Sequence, residues 1–384
     1  MDTKPSFQYI LSTHYFIHFS IMGIFLPYFN LYCYHLNFTE IQIGIMSGLR
    51  IFSMVFFSIL WGMASDYYLT RKKAYILCTF LSALTWLLFT TTTDFYPMLC
   101  IIVLYSAFYG PIIAFLETFT IETLHLEGAA KNRYGSIRVW GSISFILMAI
   151  SLGKITDAFS LNIIILLIFI PSLLQALFAF NLPSPPIIIK KKQKNHFKEF
   201  LTSKAVFFLT ASFFMLVSHG TYYGYFSIHL ENAGFDYTFI GIAWAVATAS
   251  EIIVMLKSHI IFRYFSIKQM IVFSFFIAVL RWGILFITVS PWVILLSQCL
   301  HAATYGIFHI ACILYIDKLS SKETKTFGQI INNATSYGLG IMTGIIINGI
   351  FFKQYASHLF IFSSLSALVG CVIILTSFRI HAEK

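Results

Sequence analysis

The stretch Leu182-Pro-Ser-Pro-Pro-Ile-Ile-Ile-Lys-Lys-Lys-Gln-Lys194 is rich first in proline and then in lysine, and it lies between two long apolar blocks. Proline removes a backbone donor and stops helices, and a run of like charges stays in water, so the stretch reads as a solvated connector. Its lysines are placed to meet anionic lipid headgroups. Working outward from it, the chain divides into an N-terminal half (1–181), a basic linker (182–204) and a C-terminal half (205–384).

Each half carries six apolar segments long enough to cross a ~30 Å hydrocarbon core. They are predicted at 8–30, 41–65, 74–92, 96–121, 136–153, 160–181, 205–228, 238–257, 268–288, 291–314, 326–350 and 357–378. Of the 384 residues, 58% are hydrophobic and only 10% charged, where a soluble domain carries about 25% charged residues. The mean hydropathy is +0.82. The fold class is therefore an all-α membrane protein with twelve transmembrane helices in two six-helix pseudo-repeats, and no loop is long enough to fold as a domain of its own.

The net charge of +10 could suggest a nucleic-acid partner, but its distribution argues against one. Twenty of the 25 basic residues fall in alternate loops, leaving Lys154 and Lys353 on the opposite side and Arg50, Arg138 and Arg281 within apolar segments. By the positive-inside rule both termini and the linker face the cytoplasm. The six cysteines show no metal or disulfide spacing and read as small core residues. No cofactor is indicated. The absence of an H-E-x-x-H or Walker motif leaves an intramembrane enzyme or a sensor as a remote alternative.

Ionisable residues inside apolar segments are costly, and they mark solute or ion paths. Arg138 sits in the stretch Tyr134-Gly-Ser-Ile-Arg-Val-Trp-Gly-Ser-Ile-Ser-Phe145, at the start of an apolar run with no other charge until Lys154. Glu117 lies at a matching depth on the preceding antiparallel segment, so the two are expected to pair. Glu251 and Arg281 repeat the theme in the second half. His301 and His309, eight residues apart on one segment, fall within roughly 80° of each other at 3.6 residues per turn and suit a proton relay. Arg50 is a further pore candidate with no evident acidic partner. His219, Tyr222 and Tyr223, in a segment of hydroxyls and glycines, and Trp244, as a stacking platform, complete the set of candidate solute contacts. The glycines and asparagines of the eleventh segment read as packing devices.

Between the second and third segments runs Gly62-Met-Ala-Ser-Asp-Tyr-Tyr-Leu-Thr-Arg-Lys-Lys73. It resembles the loop signature of the major facilitator superfamily, with Leu69 where a second glycine is expected. The resemblance implies that Asp66 and Arg71 gate the cytoplasmic side. Across nearly the whole chain, Gly23 to Pro27, Tyr134 to Ser142, His219 to Tyr223, Glu251, Arg281 to Ile284, and His301 through Tyr315 and Ile316 resemble the lactose-permease-like branch of that superfamily, and within it the 3-phenylpropionic acid permeases.

What the resemblance implies is proton-coupled import of a small organic solute by alternating access, with solute and protons as partners and a monomer as the working unit. The residues at Glu117 and Arg138 would bind solute, and those at Glu251, Arg281 and His301 would join binding to protonation. The proton-carrying glutamate of lactose permease falls at Thr304 here, which favours an aromatic carboxylate such as 3-phenylpropionate. A sugar or nucleoside is the alternative.

Overall fold

The computed structural model describes residues 7–126, 132–182, 197–321, 324–355 and 358–381; most of the linker, residues 183–196, lies outside them. Among the described residues, twelve helices are long and apolar enough to span a membrane. They are α1 (Phe7–His35), α2 (Glu40–Tyr67), α3 (Arg71–Thr90), α4 (Phe95–Leu124), α5 (Arg133–Ala158), α6 (Leu161–Asn181), α7 (Ser203–Asn232), α8 (Tyr237–Tyr264), α9 (Ile267–Ile287), α10 (Pro291–Leu319), α11 (Phe327–Phe352) and α12 (Leu359–Ile380). No strand occurs among the described residues. The chain is thus a multi-pass α-helical membrane protein, a form in which every backbone polar group is met within its own segment.

Local sequence sets the helix starts. Thr70 caps α3, its hydroxyl accepting from Lys73 N at 3.3 Å. Ser266 and Gln269 form a reciprocal capping box at the start of α9. Pro291 opens α10, at a position where its missing N–H would be unsatisfied anyway. The Thr70 cap corrects the sequence reading between α2 and α3: α2 continues to Tyr67, and Arg71 to Lys73 form the first turn of α3 rather than a loop. The cysteine reading also needs correction, because Cys100 and Cys299 are exposed while Cys33, Cys78 and Cys312 are buried.

The described residues form two compact units. The first gathers 1–38, 49–192 and 236–245, and the second gathers 39–48, 193–235 and 246–384. The first turns of α2 therefore cluster with the second unit, and those of α8 with the first. In unit 1, α1 packs on α5 and α6, and α3 on α4 and α6. In unit 2, α7 packs on α11 and α12, and α9 on α10 and α12. The same arrangement of helices is used twice.

The repetition extends to single hydrogen bonds. In unit 1 the Tyr28 hydroxyl shares its proton between the carbonyls of Ala149 (2.7 Å) and Tyr237 (3.1 Å). In unit 2 the Tyr225 hydroxyl does the same with Glu40 (2.9 Å) and Ile345 (3.2 Å). One helical turn beyond each of the α5 and α11 carbonyls stands a glycine, Gly153 or Gly349, where a Cβ would collide with the partner segment's backbone. Each tyrosine thus ties the start of α2 or α8 to two helices of its own unit. Tyr28→Phe and Tyr225→Phe are each expected to lower stability by about 1 kcal/mol, the net worth of one buried hydrogen bond, seen as a fall in thermal unfolding temperature in detergent. Wild-type unfolding temperatures for both variants would show that these hydroxyls hold nothing.

Candidate functional site

Unit 2 brings seven of the sequence-predicted residues, Glu251, Arg281, His301, His309, His219, Tyr222 and Tyr223, into one cluster. Arg281 of α9 is fully buried. One terminal nitrogen donates to His301 Nδ1 at 2.6 Å and to Thr304 Oγ1 at 3.2 Å, and the other to Gln298 Oε1 at 2.9 Å. The Gln298 amide donates in turn to the Ile294 carbonyl, which fixes its oxygen toward the arginine. Tyr222 and Trp282 lie against the guanidinium, with ring centroids 4.6 and 4.5 Å from its carbon.

These contacts determine the histidine tautomer. A guanidinium only donates, so His301 Nδ1 must carry the lone pair. Its Nε2 then keeps the hydrogen and donates to Glu251 Oε1 at 2.8 Å. The chain Glu251–His301–Arg281 thus joins an anion on α8 to a cation on α9 through a neutral imidazole on α10. Glu251 retains 19% side-chain exposure while His301 retains 4%, so the acid is the more accessible end of the chain.

His219 sits at a break in α7, which runs Ser203–Ser218 and resumes at Gly220. Its Nδ1 lies 2.9 Å from the Met215 carbonyl. A carbonyl only accepts, so that nitrogen carries hydrogen and Nε2 is an acceptor. The ring packs edge-on to Trp282 (5.1 Å) and 5.9 Å from His301. Trp282 Nε1 donates to Ser218 Oγ. Tyr223 lies 6.4 Å from both His301 and Tyr305, ring to ring.

Two features were not legible from α-helical spacing. Residues Ala302–Ile307 of α10 and Asn333–Gly340 of α11 form π-helical turns, an irregularity frequent at functional sites. Along α10 the rings of His301, Tyr305 and His309 stack in order, at 5.3 Å and 21° and then 6.1 Å and 5°. The π turn of α11 presents Tyr337, whose hydroxyl lies 2.7 Å from His309 Nδ1. Tyr305, Tyr337 and Gln298 are therefore members of the cluster that the sequence reading missed. Rings at every fourth position, 301, 305 and 309, were the available signal for Tyr305; nothing in α11 singled out Tyr337.

Unit 1 departs from expectation. Glu117 and Arg138 do not come within 4 Å of each other, although the arginine's charge reaches the carboxylate through space. The Arg138 guanidinium instead lies 4.0 Å over the Phe19 ring and 5.5 Å from that of Tyr15. The helices are neighbours, as the short connection required, but their rotation presents Arg138 to α1. Arg50 of α2 rests 4.7 Å from the Phe25 ring and donates to Met54 Sδ at 3.3 Å. Trp244 is buried on the part of α8 that belongs to unit 1.

Arg71 bridges Asp66 at 3.6 Å and, more closely, Glu122 of α4. The sequence reading passed over Glu122, which ties the first turn of α3 to α4. Unit 1 holds a second buried polar group: His14 Nδ1 meets Tyr75 Oη at 3.0 Å, and Gln175 reaches both Tyr75 and His18. This histidine pair of α1 serves the packing of α3 and α6.

The MFS_1 like family matches residues 8–363. The chain is 24% identical over 356 residues to a protein named probable 3-phenylpropionic acid transporter of Escherichia coli (strain K12), covering 91% of this chain and 92% of that one. It is also 24% identical over 372 residues to the nucleoside permease NupG of the same organism, covering 89% and 87%. A crystal structure of a mutant of nucleoside transporter NupG superposes with a TM-score of 0.89 at 19% identity, over 97% of this chain and all of that one. The shared architecture and the match along nearly the whole length make this chain a member of the MFS_1 like family, a transporter of the major facilitator type and not an enzyme.

Proposed function

We propose that the protein imports a small aromatic carboxylate together with protons, by alternating access between its two six-helix halves. In this reading it works as a monomer in the cytoplasmic membrane with both termini inside. The observation that carries the coupling is the Glu251–His301–Arg281 chain. When Glu251 takes a proton it ceases to balance Arg281, so protonation raises the net positive charge of the membrane interior that an anionic solute enters. Glu251, partly buried and directly bonded to His301, is the group that carries the proton. Asp66 and Arg71, with Glu122, hold the ends of α2, α3 and α4 together as the gate.

The carboxylate class is supported by charge. The interior of unit 1 holds Arg50 and Arg138 against Glu117, since Glu122 is already tied to Arg71. One cation is left for the solute. The aromatic part of the solute is suited to the rings of Phe25, Trp86, Tyr105 and Tyr109 in the same unit. A relative whose name gives 3-phenylpropionic acid as its solute agrees with this.

A nucleoside is the second reading. The parallel rings of His301, Tyr305 and His309 suit a nucleobase as well as a phenyl ring, and the similarity to a nucleoside permease supports it. Proteoliposomes decide between the two. Radiolabelled 3-phenylpropionate is expected to enter saturably under an inward proton gradient and to stop entering when a protonophore is added. Uridine uptake without phenylpropionate uptake would overturn the carboxylate reading, and uptake indifferent to the protonophore would overturn the coupling.

A further inference from the structure

Arg50, Arg138 and Arg281 lie within the membrane helices, and their surroundings differ in one respect that matters for an anionic solute. Arg281 is engaged on both terminal nitrogens and is balanced by Glu251 through His301. Arg138 has Glu117 within electrostatic reach. Arg50 has neither. It lies ten residues into α2, roughly 15 Å along the axis and so near mid-membrane. Its one hydrogen bond among the described residues is to a thioether, a weak acceptor, and its ring contact is the apolar Phe25. No carboxylate comes within 4 Å of it among the described residues. A guanidinium carries five N–H donors in a planar fork, and here nearly all are left for something the helices do not supply. The side chain is not sealed in, since the residue keeps partial exposure.

A second observation points the same way. Tyr105 of α4, only 2% exposed, has a buried hydroxyl with no hydrogen-bond partner among the described residues. It lies within electrostatic reach of Arg50. Its ring stacks on Tyr109 at 5.0 Å and packs against Trp86 at 4.9 Å, and Trp86 in turn lies against Phe25. A fork of strong donors and a spare hydroxyl therefore stand beside an aromatic cluster built from α1, α3 and α4. Buried hydroxyls are rarely left unbonded, and a forked guanidinium matches a carboxylate bidentately.

We infer that Arg50 is the anion receptor of unit 1, taking the solute's carboxylate with the Tyr105 hydroxyl as its second donor. This rests on the aromatic-carboxylate reading above and gives the carboxylate an address in unit 1. Arg281, by contrast, serves the proton.

The test compares matched acid and amide probes on purified protein: 3-phenylpropionate with 3-phenylpropanamide, and benzoate with benzamide, by calorimetry. Wild type is expected to prefer the acids by about thirtyfold, the worth of a charge-assisted pair. Arg50→Gln should erase that preference while leaving amide affinity within about twofold of wild type, which also reports an intact fold. Arg50→Lys should restore part of the preference, and Tyr105→Phe should lower acid affinity by about fivefold. A preference that survives in Arg50→Gln but vanishes in Arg138→Gln overturns the assignment alone. Wild-type protein that binds neither acid, or binds acid and amide equally, overturns the carboxylate reading and this inference together.

Discussion

Glu251→Gln is expected to abolish concentrative uptake, bringing it to the level of protein-free vesicles, while exchange of solute down its gradient continues. Glutamine keeps an oxygen that can accept from His301 Nε2, so the bond at 2.8 Å can persist in neutral form. Solute affinity should then move by no more than about fivefold, matching the ~1 kcal/mol that separates charged from neutral hydrogen bonds. What glutamine cannot do is release a proton. A carrier locked in the protonated-like state exchanges but does not couple. Counterflow with 3-phenylpropionate beside proton-driven uptake separates these outcomes, and undiminished uphill uptake by Glu251→Gln would move the proton to another group.

The second large effect is on folding. Gly344→Ala is expected to cost about 3 kcal/mol and to sharply reduce the yield of folded protein. A Cβ on Gly344 would stand less than 3.0 Å from the Val217 carbonyl oxygen of α7, and one on Gly220 would meet the backbone at Gly344. Both obstacles are main chain, which cannot rotate away. The contact also fixes the break in α7 at His219, immediately before Gly220. Loss of the approach would therefore displace the histidine as well as loosen the helix pair. Gly283→Ala provides the contrast. Nothing lies within 4 Å of a Cβ there, so alanine should be neutral or should stabilise α9 by up to about 1 kcal/mol. Unfolding temperatures of the two variants in the same detergent test the argument, and equal values would remove close approach as the reason for glycine at 344.

The two arginine–glutamate pairs expected from sequence had different fates. Both were inferred in the same way, from opposite charges at matching depth on successive helices. Arg281 and Glu251 are linked, but through His301, with Gln298 and Thr304 on the same helix accepting from the terminal nitrogens of the arginine. Arg138 and Glu117 stay apart because the guanidinium finds the Phe19 ring of α1, the helix on which α5 principally packs. Depth along a helix follows from residue count. The direction in which a side chain leaves the helix depends on rotation about the axis, and that is set by packing.

The π turns show the same limit. At 3.6 residues per turn His301 and His309 were expected within roughly 80° of each other, with no role for the residues between them. In the structure the turn at Ala302–Ile307 is wound with wider hydrogen bonding, and Tyr305 enters the stack between the two histidines. Tyr337 arrives from α11 through a second such turn, in a helix whose glycines and asparagines suggested packing alone. A π turn adds about one residue to one turn and leaves hydropathy unchanged, so a period count does not register it.

By itself the sequence determined the membrane class, the twelve spans, the six-plus-six organisation and the small set of charged and histidine side chains that lie within those spans. These follow from transfer free energies summed along contiguous residues, and such sums need no knowledge of neighbours. The tertiary structure alone decided which of those groups meet. It assigned Glu251 to His301 and Arg281, withheld Glu117 from Arg138, added Gln298, Tyr305 and Tyr337 to the cluster, and left Arg50 with a thioether and an apolar ring. Such pairings depend on helix rotation and axial phase, which are set by glycine contacts and irregular turns between segments far apart in the chain.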